Sequence, residues 1–283
     1  MGRLVHVLSP PPIEHRFLTH ESIPADIILF SEAGGEASVS KSELARIRGF
    51  EIKDAGVKGL GVFALQEFHR EDLVIAETPL FSIQRGYRED KDDYRGLSQK
   101  AVEAAVNALA PEKRREYESL QSTHPDKERK WGIFATNVYG ISDDSCGIFL
   151  RSSRFNHSCS PNARFSSNEE MQRLEIYALR DIARGDEILV SYLSCRKVYG
   201  STRAERQVRL RSLGFTCNCV VCTQPETVAS DQRRARLKKI WESLPHFTPN
   251  QSRQYLLAID RATRLLEEEG YIADYEDFAD EDD

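Results

Sequence analysis

The chain has 283 residues, 40% apolar and 30% charged, an ordinary composition for one large globular domain or a domain with an appendage. Its formal charge of −6 is uneven: Glu267 to Asp283 holds ten acids and no Lys or Arg, which leaves 39 bases against 35 acids, or +4, elsewhere. No stretch approaches the roughly 20 apolar residues of a membrane-spanning helix, and Met1 to Pro12 lacks the basic start and apolar core of a secretory signal. An intracellular protein, in nucleus or cytoplasm and with no membrane partner, is therefore expected.

Residues 1–40 carry proline near their start, Gly34-Gly35 near their end and one apolar run, Ile27 to Phe30; they read as a loosely organised lead-in. From Gly49 to Ile83 the pattern is that of strands. Phe50-Glu51-Ile52 alternates, Gly59-Leu60-Gly61 turns into Val62-Phe63-Ala64, Asp72 to Ala76 follows, and Thr78-Pro79 ends the run because proline lacks a ladder donor. Residues 84–130 are charged and rich in Ala, Glu and Lys, with Val102, Val106 and Leu109 at helical spacing until Pro111 interrupts. This stretch reads as a helical insertion. Strand character returns after Ser142, in Gly147 to Leu150, Ala163 to Ser166, Leu174 to Ala178 and Glu187 to Tyr192. The alternation of Leu174-Glu175-Ile176-Tyr177-Ala178 predicts a half-buried antiparallel strand, and Ala183-Arg184-Gly185-Asp186 supplies the turn before the next one. Ser201 to Leu213 reads as a helix. Ser230 to Leu244 (stripe Leu237, Ile240, Leu244) and Ser252 to Glu269 (stripe Leu256, Ile259, Leu266) read as an amphipathic hairpin. The acidic end reads as a solvated extension.

Three segments carry the chemistry: Arg154-Phe155-Asn156-His157-Ser158-Cys159-Ser160-Pro161-Asn162, Gly185-Asp186-Glu187-Ile188-Leu189-Val190-Ser191-Tyr192, and Gly214-Phe215-Thr216-Cys217-Asn218-Cys219-Val220-Val221-Cys222. In a reducing compartment six cysteines are metal ligands, buried thiols or catalytic groups before they are disulfides. Cys217, Cys219 and Cys222 can converge on one cation, yet tetrahedral zinc wants a fourth ligand, and this loop alone leaves buried thiols or a redox pair in play. Gly59 and Gly61 allow close backbone approach, although most such pairs are only turns. Asn156 and His157 offer an amide and an imidazole that can bridge backbone and ligand or cap a tight turn.

The order and wording of these segments resemble the SET-domain protein lysine methyltransferases, and most of all the SET and MYND-finger group with its fungal relatives. The resemblance runs from about Gly49 to Cys222. It implies an α+β architecture: a β-rich SET domain of small antiparallel sheets with a pseudoknot-like crossing, a helical insertion, a zinc-bearing post-SET segment and C-terminal helices. The divisions it implies are a lead-in over 1–48, the SET domain over 49–195 with its insertion at about 84–130, the post-SET segment over 196–225, helices over 226–269 and the acidic tail over 270–283. The implied activity is transfer of a methyl group from S-adenosylmethionine to a lysine side chain of a protein partner, histone or non-histone. The implied cofactor contacts are Gly59, Leu60, Gly61, Asn137, Ser153, Phe155, Asn156, His157 and Tyr192, with Phe215 stacking on adenine. Tyr192 is the implied catalytic tyrosine, at the end of its strand. Cys159 is the implied fourth ligand beside Cys217, Cys219 and Cys222, so zinc has a closed four-sulfur site and a structural role only. Cys146 and Cys195 are left as buried thiols. One departure stands out: residues 84–130 contain no cysteine, so the MYND finger is missing and the substrate groove is expected to be more open.

Two other classes compete. A catalytically silent SET scaffold would keep zinc as an interaction module, against which the retained Tyr192, Asn156 and His157 speak. A nucleic-acid-binding zinc protein would use Arg203, Arg206, Arg209 and Arg211 with the run Arg233, Arg234, Arg236, Lys238 and Lys239. The acidic tail and overall charge oppose it, so direct nucleic-acid binding is not expected. A monomer is.

Overall fold

The chain divides into two compact units, Met1–Ser40 and Lys41–Asp283. The computed structural model describes residues 49–84, 99–223 and 227–271, all in the second unit. The lead-in, residues 85–98 of the insertion and the acidic tail from 272 onward lie outside the described residues.

The described chain opens with an antiparallel hairpin of β1 (Phe50–Asp54) and β2 (Leu60–Ala64), joined by the 3-10 turn Gly56–Lys58. β3 (Leu73–Glu77) follows and stops just before Thr78-Pro79, as expected. β4 (Phe81–Gln84), a strand not picked out singly in the sequence, then starts in a different sheet, with Leu80 N donating to Ile148 O at 2.7 Å. The insertion supplies α1 (Gln99–Ala108), α2 (Pro111–Glu118) and α3 (Arg129–Asn137). Pro111 ends one helical pattern and begins the next, since proline at the first helical position loses nothing by lacking an N–H. Val102, Val106, Tyr117, Ile133 and Phe134 bury together with Ile83 and Ile148.

Strand pairing resumes earlier than expected, with β5 (Val138–Ser142) and β6 (Ser145–Ile148), so that β4-β6-β5 form an antiparallel sheet. After the 3-10 turn Ser152–Arg154 comes β7 (Asn156–His157), then β8 (Ala163–Asn168) and β9 (Arg173–Ala178), which join β3 in the order β3-β9-β8. The alternation of β9 misleads about Glu175, which is only 6% exposed because β9 is the central strand. Its carboxylate is satisfied locally, accepting from Arg173 Nε (2.6 Å), Tyr177 OH (2.6 Å) and Asn168 Nδ2 (3.2 Å).

The segment expected as one strand ending at Tyr192 changes partner along its length. Asp186 and Ile188 bond to β2, through Ala64 N to Asp186 O (2.9 Å) and Ile188 N to Val62 O (2.8 Å). Only β10 (Leu189–Val190) then pairs, in parallel, with β7. Tyr192 lies beyond the strand because the Ser191 hydroxyl diverts the backbone, accepting from Leu193 N (3.1 Å) and donating to Leu193 O (2.7 Å). Asn162 stitches the two segments, with Nδ2 to Glu187 O at 2.9 Å and Leu189 N to Oδ1 at 2.7 Å. Val62, Ala64, Val74, Ile75, Phe155, Ile176, Ile188 and Val190 fill one core beneath these small sheets.

The C-terminal third is helical: α4 (Cys195–Tyr199), α5 (Arg203–Ser212), α6 (Val220–Thr223), α7 (Thr227–Ser243) and α8 (Ser252–Glu268). A capping box of Thr202 and Glu205 starts α5. Leu210, Leu237, Trp241, Ala262 and Leu266 bury against Cys159, Cys217 and Cys222. Leu256 does not join the apolar stripe and is 65% exposed; Tyr255, four residues before Ile259, packs there instead. Arg234 is fully buried and ties α7 to its surroundings, donating to Glu269 Oε2 (2.7 Å), Val198 O (2.6 Å) and Cys159 O (2.9 Å).

Candidate functional site

The β1–β2 turn delivers Gly59, Leu60 and Gly61 to the paired segments β7 and β10. A Cβ on Gly61 would lie 2.7 Å from Glu187 Oε1 and 2.9 Å from both Asn156 Nδ2 and Ala55 Cβ, so any other residue there would force these groups to shift. Asn156 Nδ2 donates to Leu60 O (3.1 Å) and Glu187 Oε1 (2.9 Å), and Lys58 pairs with the same carboxylate. Glu187 thus organises three elements, a role its place in the sequence did not reveal.

His157 sits at the centre. Its Nδ1 accepts from Tyr192 N at 3.0 Å, so in the neutral ring the proton resides on Nε2, which lies 3.3 Å from Cys159 Sγ. Burial holds its pKa down at about 4, with Cys219 opposing and Arg206 adding to that shift. The Tyr192 hydroxyl donates to Phe155 O at 2.8 Å, and burial, reinforced by Glu187, pushes its pKa above that of an ordinary phenol. Tyr192 is therefore a protonated donor, while 42% of the residue stays open to solvent. Phe215 closes the group edge-on, its ring 5.8 Å from His157 and 5.9 Å from Tyr192. Gly214 permits that placement, with φ of +90° and Thr123 packed against its bare Cα.

Below the rings lie the four cysteine sulfurs, all within 4.8 Å of one another. Cys159 Sγ is 3.9 Å from Cys217 Sγ and 3.6 Å from Cys222 Sγ. Tetrahedral zinc with bonds of about 2.3 Å spaces its sulfurs about 3.8 Å apart, whereas a disulfide needs about 2.05 Å. The spacing therefore fits one shared cation. Donors surround the cluster: Cys159 N to Cys219 Sγ (3.4 Å), Cys219 N to Cys217 Sγ (3.4 Å) and the buried Arg206 Nη2 to Cys222 Sγ (3.8 Å). Such donors favour thiolates, the form that binds metal. Cys146 is buried against Ile83 O, while Cys195 is half-buried beside the C-terminal core, not fully enclosed as expected.

The remaining expected residues are placed less directly. Asn137 spends both amide protons within the fold, on Gln121 O (2.8 Å) and Ile133 O (2.7 Å). The loop from Gln121 to Thr123 connects it to the site: Gln121 Nε2 faces Gly59, and Thr123 packs on Gly214. Ser153 Oγ is buried without a hydrogen-bond partner. Tyr139 was missed altogether. Its hydroxyl donates to Ser152 O at 3.1 Å, and burial raises its pKa, with nearby Tyr192 and Glu77 adding to the effect. Nothing in the pattern around Tyr139 marks it, since its neighbours come from distant strands.

Residues 59–193 match the family described as the SET domain, so this chain carries a SET domain. Its relatives narrow that class. Histone-lysine N-methyltransferase set5 of Schizosaccharomyces pombe is 32% identical over 185 residues, covering 64% of this chain and 53% of that protein. Protein-lysine N-trimethyltransferase SMYD5 of Homo sapiens is 31% identical over 115 residues, covering 40% of this chain and 26% of that one. The chain spans about half the length, or less, of the curated relatives it matches.

Proposed function

We propose that this chain transfers a methyl group from S-adenosylmethionine to a lysine side chain of a protein, histone or non-histone. The observation that carries the reading is the convergence of Asn156, His157, Tyr192 and Phe215 over a four-cysteine cluster inside a SET domain. The printed names of the relatives agree with it.

The residues present fit the donor. The main chain of Gly59, Leu60, Gly61 and His157, the Asn156 side-chain oxygen, and Ser153 with its unpartnered hydroxyl would hold its polar parts. Asn137 would offer Oδ1, Phe155, whose ring is buried in the core, would offer its main chain, and Phe215 an aromatic face for adenine. When bound, the cofactor supplies an electrophilic methyl group on a positively charged sulfur. Tyr192 keeps its proton, so it is no base. Its hydroxyl is anchored to Phe155 O, which leaves the oxygen lone pairs for weak contacts that align a methyl group. The acceptor amine must arrive neutral, having lost its proton to water, and both desolvation and a nearby positive charge lower its pKa toward that state. Cys159, Cys217, Cys219 and Cys222 would hold zinc in a structural role, tying the loop that carries Phe215 to the segment that carries His157. The divisions at 49–195, 196–225 and 226–269 remain our working boundaries, and nuclear or cytoplasmic action on a protein partner follows from the same reading.

The test pairs labelled-methyl transfer to a protein extract with calorimetric binding of the cofactor. Wild type is expected to transfer label. Tyr192→Phe should lose turnover by roughly 100-fold or more while binding the cofactor almost unchanged. Equal loss of both refutes the role of Tyr192, and binding without any transfer by wild type identifies a silent scaffold.

A further inference from the structure

Glu77 belongs to no motif, yet it stands behind both tyrosines of the site. It ends β3 and reaches across to the turn Ser152–Arg154, where Oε1 accepts from Arg151 N (2.9 Å) and Oε2 from Ser152 N (2.8 Å) and Ser152 Oγ (2.7 Å). The residue at the turn's own N-cap, Arg151, gives no side-chain cap, so these otherwise orphaned N–H groups depend on Glu77. The carbonyls that leave the turn are where the phenols dock. Ser152 O receives Tyr139 OH (3.1 Å) and Phe155 N (3.3 Å), and Phe155 O receives Tyr192 OH (2.8 Å).

We propose that Glu77 is a positioning residue: by capping the turn it fixes the Ser152 and Phe155 carbonyls, and through them the hydroxyls of Tyr139 and Tyr192. The inference rests on the methyl-transfer reading for its catalytic consequence. A carboxylate suits the task because it only accepts, and here two oxygens serve three donors. Glutamine would turn an NH2 group toward one of those donors and loosen the turn.

The experiment compares Glu77→Gln with wild type in the full, metal-loaded chain. Turnover should fall about 10- to 100-fold while cofactor affinity changes by no more than about threefold, the signature of misplaced groups. In a Tyr192→Phe background the same substitution should cost clearly less than in wild type, because the route through Tyr192 is already cut. An equal loss in both backgrounds overturns the proposal. A second readout needs no turnover: with tyrosine labelled at 13Cζ, the resonances of Tyr139 and Tyr192 should move in Glu77→Gln while those of Tyr177 and Tyr199 hold still. Unmoved resonances overturn the proposal even if wild type proves to transfer no methyl group, and a shift confined to the two site tyrosines upholds the positioning while that other reading fails. Should Glu77→Gln not fold, Ser152→Ala removes only the hydroxyl bond; a smaller change in the same direction supports the inference, and none refutes it.

Discussion

Replacing Arg234 with Met tests whether the C-terminal hairpin and the cysteine cluster are one structural unit. Arg234 is fully buried, lies over the Tyr199 ring at 5.0 Å, and donates to Glu269 Oε2, Ser230 Oγ, Val198 O and Cys159 O. Methionine keeps most of the volume but strands two backbone carbonyls, at about 1–2 kcal/mol each. It also removes the fully buried cation from Glu269, which keeps Arg233, 2.6 Å from Oε1, and the Ser230 hydroxyl, 2.7 Å from Oε2, and this adds about 1–2 kcal/mol more. The sum, about 3–6 kcal/mol, overlaps the cost of about 3–5 kcal/mol for breaking a buried pair from one side. The assay is urea unfolding with zinc in excess, run alongside the rate at which a chelator extracts the metal. The expected result is a loss of that size together with faster extraction, because Cys159 loses its carbonyl anchor. A loss under about 1 kcal/mol refutes the energetic argument, and lost stability with unchanged extraction refutes the link to the metal.

Other outcomes follow from single contacts. The purified chain should carry about one zinc per molecule, and Cys222→Ser should lower that content and the affinity for S-adenosylmethionine together, as metal analysis and calorimetry would show. Gly61→Ala should cost about 1–3 kcal/mol by overpacking and weaken cofactor binding, since the new Cβ meets Glu187 and Asn156 inside 3 Å; a stable variant with normal binding contradicts this. Glu175 is depressed below the usual carboxylate range, its hydrogen bonds from Tyr177, Arg173 and Asn168 outweighing the opposing effect of burial. Because the folded pKa lies below the unfolded one, this stabilisation is present above about pH 4.3 and is lost as pH falls through the lower, folded value. Glu175→Gln should therefore flatten the acid side of a stability–pH curve and leave its shape near neutrality unchanged.

The site was legible in the sequence where neighbours in space are neighbours along the chain. Asn156, His157 and Cys159 form one run, and Cys217 to Cys222 another, so their chemistry could be read directly and the resemblance joined them. Helices α7 and α8 announced themselves by their apolar period. What was missed depends on distant partners. Glu77 matters because Ser152 lies opposite it, Tyr139 because Tyr192 does, and Arg234 because its guanidinium meets Cys159 and Glu269. Glu175 was expected on an open face, because alternation separates the two faces of a strand but cannot say that both are covered. Leu189–Val190 came out shorter than its apolar run because one serine hydroxyl turned the chain aside.

The clasp at Cys159 spans 58 residues to Cys217. Closing an arc of that length costs an unconstrained chain about 3.6 kcal/mol by the logarithmic rule, and one ion bonded to both ends would carry that burden. Losing the ion would thus release the far arm as a whole and take Phe215 with it. On the methyl-transfer reading, the pocket for the donor would then lose the aromatic ring that lies beside His157.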